Sequence, residues 1–589
     1  MNPSEEELFT RLKSFRKLMQ VKDFHIFIIS STDQYLNEYI PLEENEVTYL
    51  TGFTGSTATV IITLNNVFLF VDGRYFTQAE LETPKSLINV VKVTFGISIN
   101  SALRIKLKEL VMQSQSTLNI ALDTKKISHK DYCLIQNELF SLNFNLVDSH
   151  SLIEDPKLKL KKDYNDSLEL IPISITGKST NDKLKSIQNW LIDNKYNYFL
   201  ITQLDDISYL TNLRSYSIPY NSTIKAICIL GQSSAHLFVE LDSIPQWLIN
   251  EFKDIIQVHP KNNYTDIINK LISKNAESLI KIGFDTTKTP YHKVKEMEYL
   301  LTNKDQLINT ECTLSQMKRI KNPEELQFMT HSFHQADIVV KKAIDWLNTE
   351  INNNKSISEK DFNNKVKDLF FSHKAKALSF NVITASGTNS AIVHYTNPDP
   401  NKILQKNEFM LLDTGAYFEG GYATDLTRTF IIGANHAKPT HKQREIYTLV
   451  LKASIRVMKS KFPLGTKGVH LDTIARSVLW DYNYIYNHGT GHGVGICVHE
   501  IPPRLSVNSK DVIEENMVFS VEPGIYLEGF GGVRIENIVT VKVDRRNEGW
   551  LRIEPLTYAP LDNNLIDETY LDHSEREWLM NYQKKSILK

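Results

Sequence analysis

Only four cysteines, Cys133, Cys228, Cys312 and Cys497, occur in 589 residues, and they are scattered with no CxxC pair. This excludes a disulfide-stapled scaffold and a zinc-ribbon site. No apolar run approaches the ~20 residues that cross a bilayer. The nearest, Phe24 to Ile29 and Val67 to Val71, have the length of strands. An excess of one charge sign is also missing: 67 Lys plus Arg against 69 Asp plus Glu leaves a net charge of -2, with no electrostatic footprint for nucleic acid or an anionic membrane. The opening Met1-Asn2-Pro3-Ser4-Glu5-Glu6-Glu7 is acidic and lacks the apolar segment of a secretory signal. The closing Ser586-Ile587-Leu588-Lys589 matches no sorting address. A reducing, cytoplasmic setting is therefore expected.

What is present is ordinary folded protein: 41% hydrophobic, 10% aromatic and 23% charged residues, too apolar for a largely disordered chain. At roughly 100 to 200 residues per domain the length suggests about three to six domains. Residues 154–167 mix Pro156 with Lys and Asp and show no helical or strand period, which reads as a linker. On either side the chain repeats itself. A helical stretch from Glu5 to Gln20 precedes Phe24 to Ile29, then Val47-Thr48-Tyr49-Leu50-Thr51-Gly52, then the strand-like Thr59 to Thr63. After the linker, helical Asn181 to Asn194 precedes Tyr198 to Thr202, then Ile207-Ser208-Tyr209-Leu210-Thr211-Asn212, then Ala226 to Leu230. The shared order, with Tyr-Leu-Thr in both, predicts two copies of one α/β unit of about 150 residues. A third segment opens near Met317, where Asn322 as N-cap, Pro323 in the first turn and Glu325 at the third position predict a long helix to about Asn348.

The chemistry lies in this third segment. Phe409-Met410-Leu411-Leu412-Asp413 is an apolar run ending in a carboxylate, and Tyr422 to Ile432 is rich in strand formers. Glu419-Gly420-Gly421 between them is a turn signal, so a hairpin is expected that brings Asp413 close to Asp425. Two such carboxylates repel unless a cation neutralises them or one takes a proton. Alone the pair is weak evidence, since Asp is common near hairpins. Further on, Asn487-His488-Gly489-Thr490-Gly491-His492-Gly493-Val494-Gly495-Ile496-Cys497-Val498-His499-Glu500 places three histidines within twelve residues among glycines. It is no HExxH zinc helix, and buried core histidines explain three poorly in so Gly-rich a stretch.

Two more carboxylates follow in strand context: Glu522 at the end of Met517 to Val521, and Glu536 in the apolar run Gly531 to Val541. An ionised Glu in such a run costs several kcal/mol unless it is paired or metal-bound. Arg534, two residues away on the same face, offers an ion pair as the plain reading of Glu536. Taken together, two Asp, two Glu and at least one His form a hard, oxygen-rich set suited to two divalent cations such as Mn²⁺. Two ions about 3.5 to 4 Å apart make a nucleophile of a water near neutral pH and polarise the carbonyl it attacks, so metal-assisted hydrolysis is the expected chemistry.

These motifs resemble the pita-bread metallopeptidases, and the whole chain, including Asp72-Gly73-Arg74-Tyr75, resembles the cytosolic three-domain Xaa-Pro aminopeptidases (aminopeptidase P). The resemblance implies an α/β (α+β) fold. Residues 1–155 and 165–312 would be creatinase-like α/β domains, and 316–589 a pita-bread catalytic domain. It implies Asp413, Asp425, His492, Glu522 and Glu536 as ligands of two Mn²⁺, with Zn²⁺ or Co²⁺ as alternatives, Asp425 and Glu536 bridging. It further implies that His394 and His499 contact the substrate and stabilise the tetrahedral intermediate, that His488 lines the same pocket, and that Arg74 reaches the peptide. Glu522 would carry the proton. The substrates would be peptides with proline in second position, the activity removal of the residue before it, and the assembly a homodimer in the cytoplasm.

One departure stands out: eleven residues separate Asp413 from Asp425 where the family usually has ten. A bulge at the Glu419-Gly420-Gly421 turn is expected to absorb the extra residue, because a register slip would turn Asp425 outward. Gly177-Lys178-Ser179-Thr180 resembles the end of a phosphate loop, but Pro172 stands where the first glycine is required, so a turn or helix start is expected. The competing readings are a prolidase, a methionine aminopeptidase, a creatinase, and a non-catalytic peptide-binding or histone-binding pita-bread module.

Overall fold

In each half of the N-terminal region the Tyr-Leu-Thr segment ends a short helix, Glu46–Thr51 in one and Leu204–Thr211 in the other. The threonine hydroxyl donates back to the carbonyl four residues earlier, Thr51 to Val47 at 2.7 Å and Thr211 to Ile207 at 2.8 Å. The next residue is left-handed, Gly52 at φ 79° and Asn212 at φ 58°, the two residue types that adopt this conformation most readily. The computed structural model describes residues 3–41, 44–150, 152–153, 167–241, 243–273, 280–301 and 306–588. The proposed linker, 154–167, lies outside them except for Ser167.

The chain separates into two units, Met1–Leu170 with Lys178–Ile218 and Thr223–Gln316, and Ile171–Gly177 with Pro219–Ser222 and Met317–Lys589. The first unit holds two six-stranded sheets. In one, β1 (Ile26–Ser30), β2 (Thr59–Thr63), β3 (Val67–Val71), β4 (Asn89–Lys92), β5 (Leu118–Leu122) and β6 (Phe144–Asp148) lie in the order β4-β3-β2-β1-β5-β6. In the other, β7 (Tyr198–Ile201), β8 (Ala226–Gly231), β9 (Ala235–Val239), β10 (Gln257–Pro260), β11 (Ile282–Phe284) and β12 (Leu307–Asn309) lie in the order β10-β9-β8-β7-β11-β12. The parallel and antiparallel pairings match position by position, β1 with β2 antiparallel and with β5 parallel, as β7 with β8 and β11. The repeat read from the sequence is thus a repeat of topology. Helices α1 (Ile99–Met112), capped by Ser98, and α2 (His129–Glu138), capped by Ser128, cover the first sheet. The Gly177-Lys178-Ser179-Thr180 stretch is a helix boundary: Gly177 is the left-handed end of one helix and Ser179 the N-cap of Thr180–Asp193.

The second unit opens with α3 (Pro323–Asn352), which carries the expected capping box of Asn322 and Glu325 with proline in the first turn. Its sheets are short and antiparallel. β13 (Ile383–Ser386), β14 (Phe409–Thr414) and β15 (Leu426–Ile431) form one. β16 (Lys461–Pro463), β17 (Val518–Val521), β20 (Asn537–Val543) and β21 (Trp550–Pro555) form another, ordered β16-β21-β20-β17, and β18 (Gly524–Leu527) pairs with β19 (Gly531–Arg534). One core gathers behind β14 and β15 against α3 and Glu359–Ser372, another between the helices His441–Met458 and Gly468–Trp480 and the strands β17 and β20. Each fully buried Leu, Ile or Phe there stabilises by about 1.5–3 kcal/mol relative to exposure, so both cores are rigid platforms for the strand ends between them.

Candidate metal centre

The hairpin of β14 and β15 keeps one register along its length. Asp413 pairs with Thr427 and Thr414 with Leu426, and beyond the strands Tyr417 still faces Ala423 in the same register. In that register Asp425 stands opposite Gly415, diagonal to Asp413 on the same face. The extra residue is therefore taken up, as expected, by enlarging the turn at Glu419-Gly420-Gly421 into the five-residue tip 418–422, and neither strand gains a residue. Gly420 and Gly421 turn the tip with φ 89° and 66°. Gly415 is required because a Cβ there would overlap the carbonyl oxygen of Thr424.

Glu522 and Glu536 come from a second pairing. The ladder of β17 and β20 ends at Val521 with Asn537, and the next step outward is Glu522 and Glu536. Glu536 is not inside a continuous strand, as its apolar surroundings suggest, but in the two-residue break between β19 and β20, where the chain changes partner. There its backbone N–H donates to Thr427 O at 3.1 Å, stitching it to β15 beside Asp425. Glu522 donates its N–H to Thr490 O at 2.8 Å, which ties it to the glycine-rich histidine loop. A Cβ on Gly491 would overlap Ser520 O and one on Gly493 would overlap Glu500 O, so these glycines let the loop lie directly on its neighbours.

His492 is thereby brought onto the carboxylates. Its Nε2 lies 3.4 Å from Asp425 Oδ2 and 3.4 Å from Glu522 Oε1. One ligand atom each from Asp425, His492 and Glu536 fall within 4.8 Å of one another. His492 Nδ1 faces Gly493 O at 3.1 Å, and a carbonyl only accepts, so Nδ1 carries the proton and Nε2 presents a lone pair toward two carboxylates. Acceptors facing acceptors is the arrangement a cation resolves.

The electrostatics agree. Burial first, then Glu536, Asp413 and Glu522, push the Asp425 carboxyl well above the usual range. Burial followed by Glu522 and Asp413 does the same to Glu536. Glu522 is pushed up to about 7 by burial and Asp413, against the pull of Arg534 and His499. Asp413 Oδ1 and Glu536 Oε1 are buried and accept no hydrogen bond. Four carboxylates and one imidazole with orphaned oxygens are a donor set that fits two hard or borderline divalent cations.

Arg534 does not pair with Glu536. Its NH2 donates to Asp413 Oδ2 at 2.6 Å, its NH1 to Tyr526 OH at 2.9 Å and Val393 O at 3.2 Å, and its Nε to Thr427 Oγ1 at 3.1 Å. Thr427 in turn donates to Glu536 Oε2 at 2.8 Å. Burial opposes the Arg534 charge, but Tyr526, Asp413 and Glu522 outweigh it and hold the guanidinium protonated. Tyr526, which carries no motif of its own in the sequence, faces His488 Nε2 at 2.9 Å.

The remaining site residues fall at graded distances. The His499 ring lies edge-on to His492, centroids 4.4 Å apart. His488 is buried and reaches the acids through Tyr526 and Arg534. His394 is half-buried in the turn after Gly387–Ala391, next to the Val393 carbonyl that Arg534 holds. Arg74 belongs to the first unit, where Asp72 takes it in a bidentate pair at 2.9 Å and Glu38 lies 3.6 Å away. Sequence reasoning also missed Lys321 and Glu500, a buried ion pair. Glu500 accepts from Ile496 N–H at 3.0 Å and donates its own N–H to Gly493 O at 2.9 Å, closing the histidine loop. The only signal was their charge beside a Pro and a Gly-rich run, which marks surface residues just as often.

Comparisons with known proteins agree with this geometry. Residues 327–543 match the family described as Metallopeptidase family M24, and 549–588 its C-terminal region. Residues 11–155 and 159–325 each match a Creatinase/Prolidase N-terminal domain. A probable Xaa-Pro aminopeptidase P of Ajellomyces capsulatus is 30% identical over 593 residues, 97% of this chain and 94% of its own. That of Laccaria bicolor is 29% identical over 98% of this chain and 89% of its own. Among solved structures, the X-prolyl aminopeptidase of Caenorhabditis elegans, described as a cytosolic enzyme with a di-nuclear active site, superposes with a TM-score of 0.88 at 25% identity, covering 98% of this chain and 95% of its own. The prolidase of Pyrococcus horikoshii covers 65% of this chain and 99% of its own, with a TM-score of 0.52 at 27% identity.

Proposed function

This chain belongs to the M24 metallopeptidase family, and we propose that it is a metal-dependent aminopeptidase removing the N-terminal residue from peptides with proline in second position. The observation that carries this is the convergence of Asp425, His492 and Glu536 in a chain that matches Xaa-Pro aminopeptidase P sequences nearly end to end. Residues 1–155 and 165–312 act as the creatinase-like domains and 316–589 as the catalytic domain. Asp413, Asp425, His492, Glu522 and Glu536 would hold the two divalent ions. Mn²⁺ is the assignment, over Zn²⁺ and Co²⁺, because four of the five donors are carboxylates. When bound, the ions supply a water ionised near neutral pH and polarise the scissile carbonyl.

The chain's own residues do the rest. As in any amide hydrolysis, the leaving nitrogen, here that of proline, must gain a proton as the bond breaks. Glu522 takes the proton of the attacking water and delivers it there. His499 and His394 donate to the carbonyl oxygen as its charge develops, which is worth more in a desolvated site than in water. Arg534 orients Asp413, and through Tyr526 it holds His488 on the pocket wall. Arg74, its fork held by Asp72, is assigned to the peptide as well. The chain acts as a homodimer in the cytoplasm, a reading supported for location by its cytosolic relative.

The test is a matched pair of peptides, Xaa-Pro-Xaa and Xaa-Ala-Xaa, offered to metal-stripped protein with and without Mn²⁺, beside Asp425→Ala. Cleavage of the proline peptide alone, restored by Mn²⁺ and absent in the variant, is expected. Release of N-terminal Met from a peptide without proline would move the assignment to a methionine aminopeptidase. No hydrolysis with metal bound would favour a binding module.

A further inference from the structure

In open α/β sheets, small ligands gather at the carboxyl ends of neighbouring parallel strands whose onward connections run to opposite sides. β1 and β5 are such neighbours: the chain leaving β1 turns to β2, and the chain leaving β5 turns the other way to β6. The second copy has the same switch between β7 and β11. The two crevices differ in content. At β7 and β11 only about 20 Å³ remains. Lys288 Nζ fills it, bonded to Asp206 Oδ2 at 3.0 Å and Ser315 Oγ at 2.9 Å, with Leu314 beside it. At β1 and β5 a cavity of about 300 Å³ stands open, the lower end of the ~300–1,000 Å³ of small-molecule sites.

Its wall sets hydroxyls, among them Ser31, Thr57 and Ser128, around a floor of Ile28, Leu103 and Ile135. Four charged side chains also line it. Two are neutralised nearby: Lys126 lies 3.2 Å from Glu46, and Glu38 lies 3.6 Å from Arg74. The other two are Arg104 on α1 and Asp131 on α2. Arg104 donates to Ser101 Oγ at 3.3 Å and Asp131 accepts from Ser128 Oγ at 2.8 Å; among the described residues neither has an opposite charge at ion-pair distance. A wall with one spare cation and one spare anion suits neither a simple anion nor a simple cation.

We propose that this crevice binds a small zwitterion, a free α-amino acid or a short peptide, with its carboxylate on Arg104 and its ammonium on Asp131. The hydroxyls hydrogen-bond its polar atoms and the apolar floor takes its side chain. Nothing in this depends on the chemistry of the metal centre.

The test is isothermal titration of the full, metal-loaded chain with glycine, L-serine and L-leucine, and with succinate and inorganic phosphate as plain anions. At least one amino acid should bind and the anions should not. Arg104→Gln and Asp131→Asn should each weaken that binding about tenfold or more, the loss expected for one hydrogen-bonded charge, with peptide turnover in the absence of added amino acid unchanged. Hydrogen exchange of the unaltered protein should slow at 99–104 and 126–131 when the amino acid is added, a readout that needs no variant to fold. Failure of every amino acid to bind, binding that survives both substitutions, protection confined to 488–500, or tighter binding of succinate or phosphate would each overturn the proposal.

Discussion

Arg534 gives its shortest hydrogen bond, 2.6 Å, to Asp413, 121 positions away in the chain, and none to Glu536 two residues on. Thr427 mediates instead, accepting from Arg534 and donating to Glu536. The single guanidinium therefore fixes one carboxylate directly, a second through a hydroxyl, and Tyr526 at its other end.

Lysine cannot replace that fork, because its ammonium is a point charge without the planar spread of donors. Arg534→Lys should fold and bind metal yet lose about ten- to a hundredfold in kcat/KM, the worth of one or two charge-assisted hydrogen bonds at ~1.4 kcal/mol per tenfold. Steady-state kinetics on a proline peptide, with metal content measured in the same sample, checks this. Unchanged kcat/KM at full metal content would show that Arg534 serves only the fold.

Metal removal should lower the stability of the second unit, since bound cations oppose the repulsion among Asp413, Asp425, Glu522 and Glu536. Ligand at a hundred times its dissociation constant stabilises by about 2.7 kcal/mol. Denaturant unfolding with chelator and with Mn²⁺ should show a difference of that order or more. Asp425→Asn should do the reverse of a usual core substitution: it should raise the stability of the metal-free protein and abolish the response to Mn²⁺.

Lys321 and Glu500 are both nearly fully buried, with side chains 3% and 2% exposed. Removing one partner leaves a buried charge and costs roughly 3–5 kcal/mol, whereas neutralising both costs far less. Lys321→Met should be strongly destabilising, and adding Glu500→Gln should recover much of the loss. Chemical denaturation of the two single variants and the double variant measures the coupling. Additive losses would mean that the pair does not act as a unit.

Asp572 caps the C-terminal helix His573–Leu588, accepting from Ser574 Oγ at 2.7 Å and Glu575 N–H at 2.9 Å. These bonds, the Ser574 one foremost, push its carboxyl down to about 2. With a folded value below the ordinary ~3.9, the stabilisation is fully present above about pH 4 and disappears as pH falls through about 2. Asp572→Ala should therefore cost about 1 kcal/mol near neutral pH, the usual worth of such a cap. The gap between variant and parent, followed by thermal unfolding, should close on acidification; a gap that persists at pH 2 would place the effect elsewhere.

Much of this was legible because it is local. The Asn322-Pro323-Glu325 cap and the strand at Thr59 to Thr63 depend on neighbours in the chain and lie where the residues put them, and the paired Tyr-Leu-Thr segments, read only as a repeat, prove to be matching helix ends. The acids and histidines were legible by type, since buried carboxylates and imidazoles near glycines need a reason. Their partners were not. That Arg534 chooses Asp413, that Glu536 sits in a strand break, and that Lys321 closes the histidine loop through Glu500 depend on contacts spanning 100 residues or more, which no local pattern encodes.

The hairpin tip at 418–422 lies beyond the last aligned position, Tyr417 with Ala423. Adding a residue within a strand swaps inward and outward positions, but adding one at the tip changes neither strand. The number of residues between the two acids therefore does not decide activity: an odd or an even interval is compatible with an intact site. Of the five tip residues only Glu419 is exposed, while Phe418 and Tyr422 are buried and anchor the tip, so a change of length that spares the acids at its base has room at Glu419 alone.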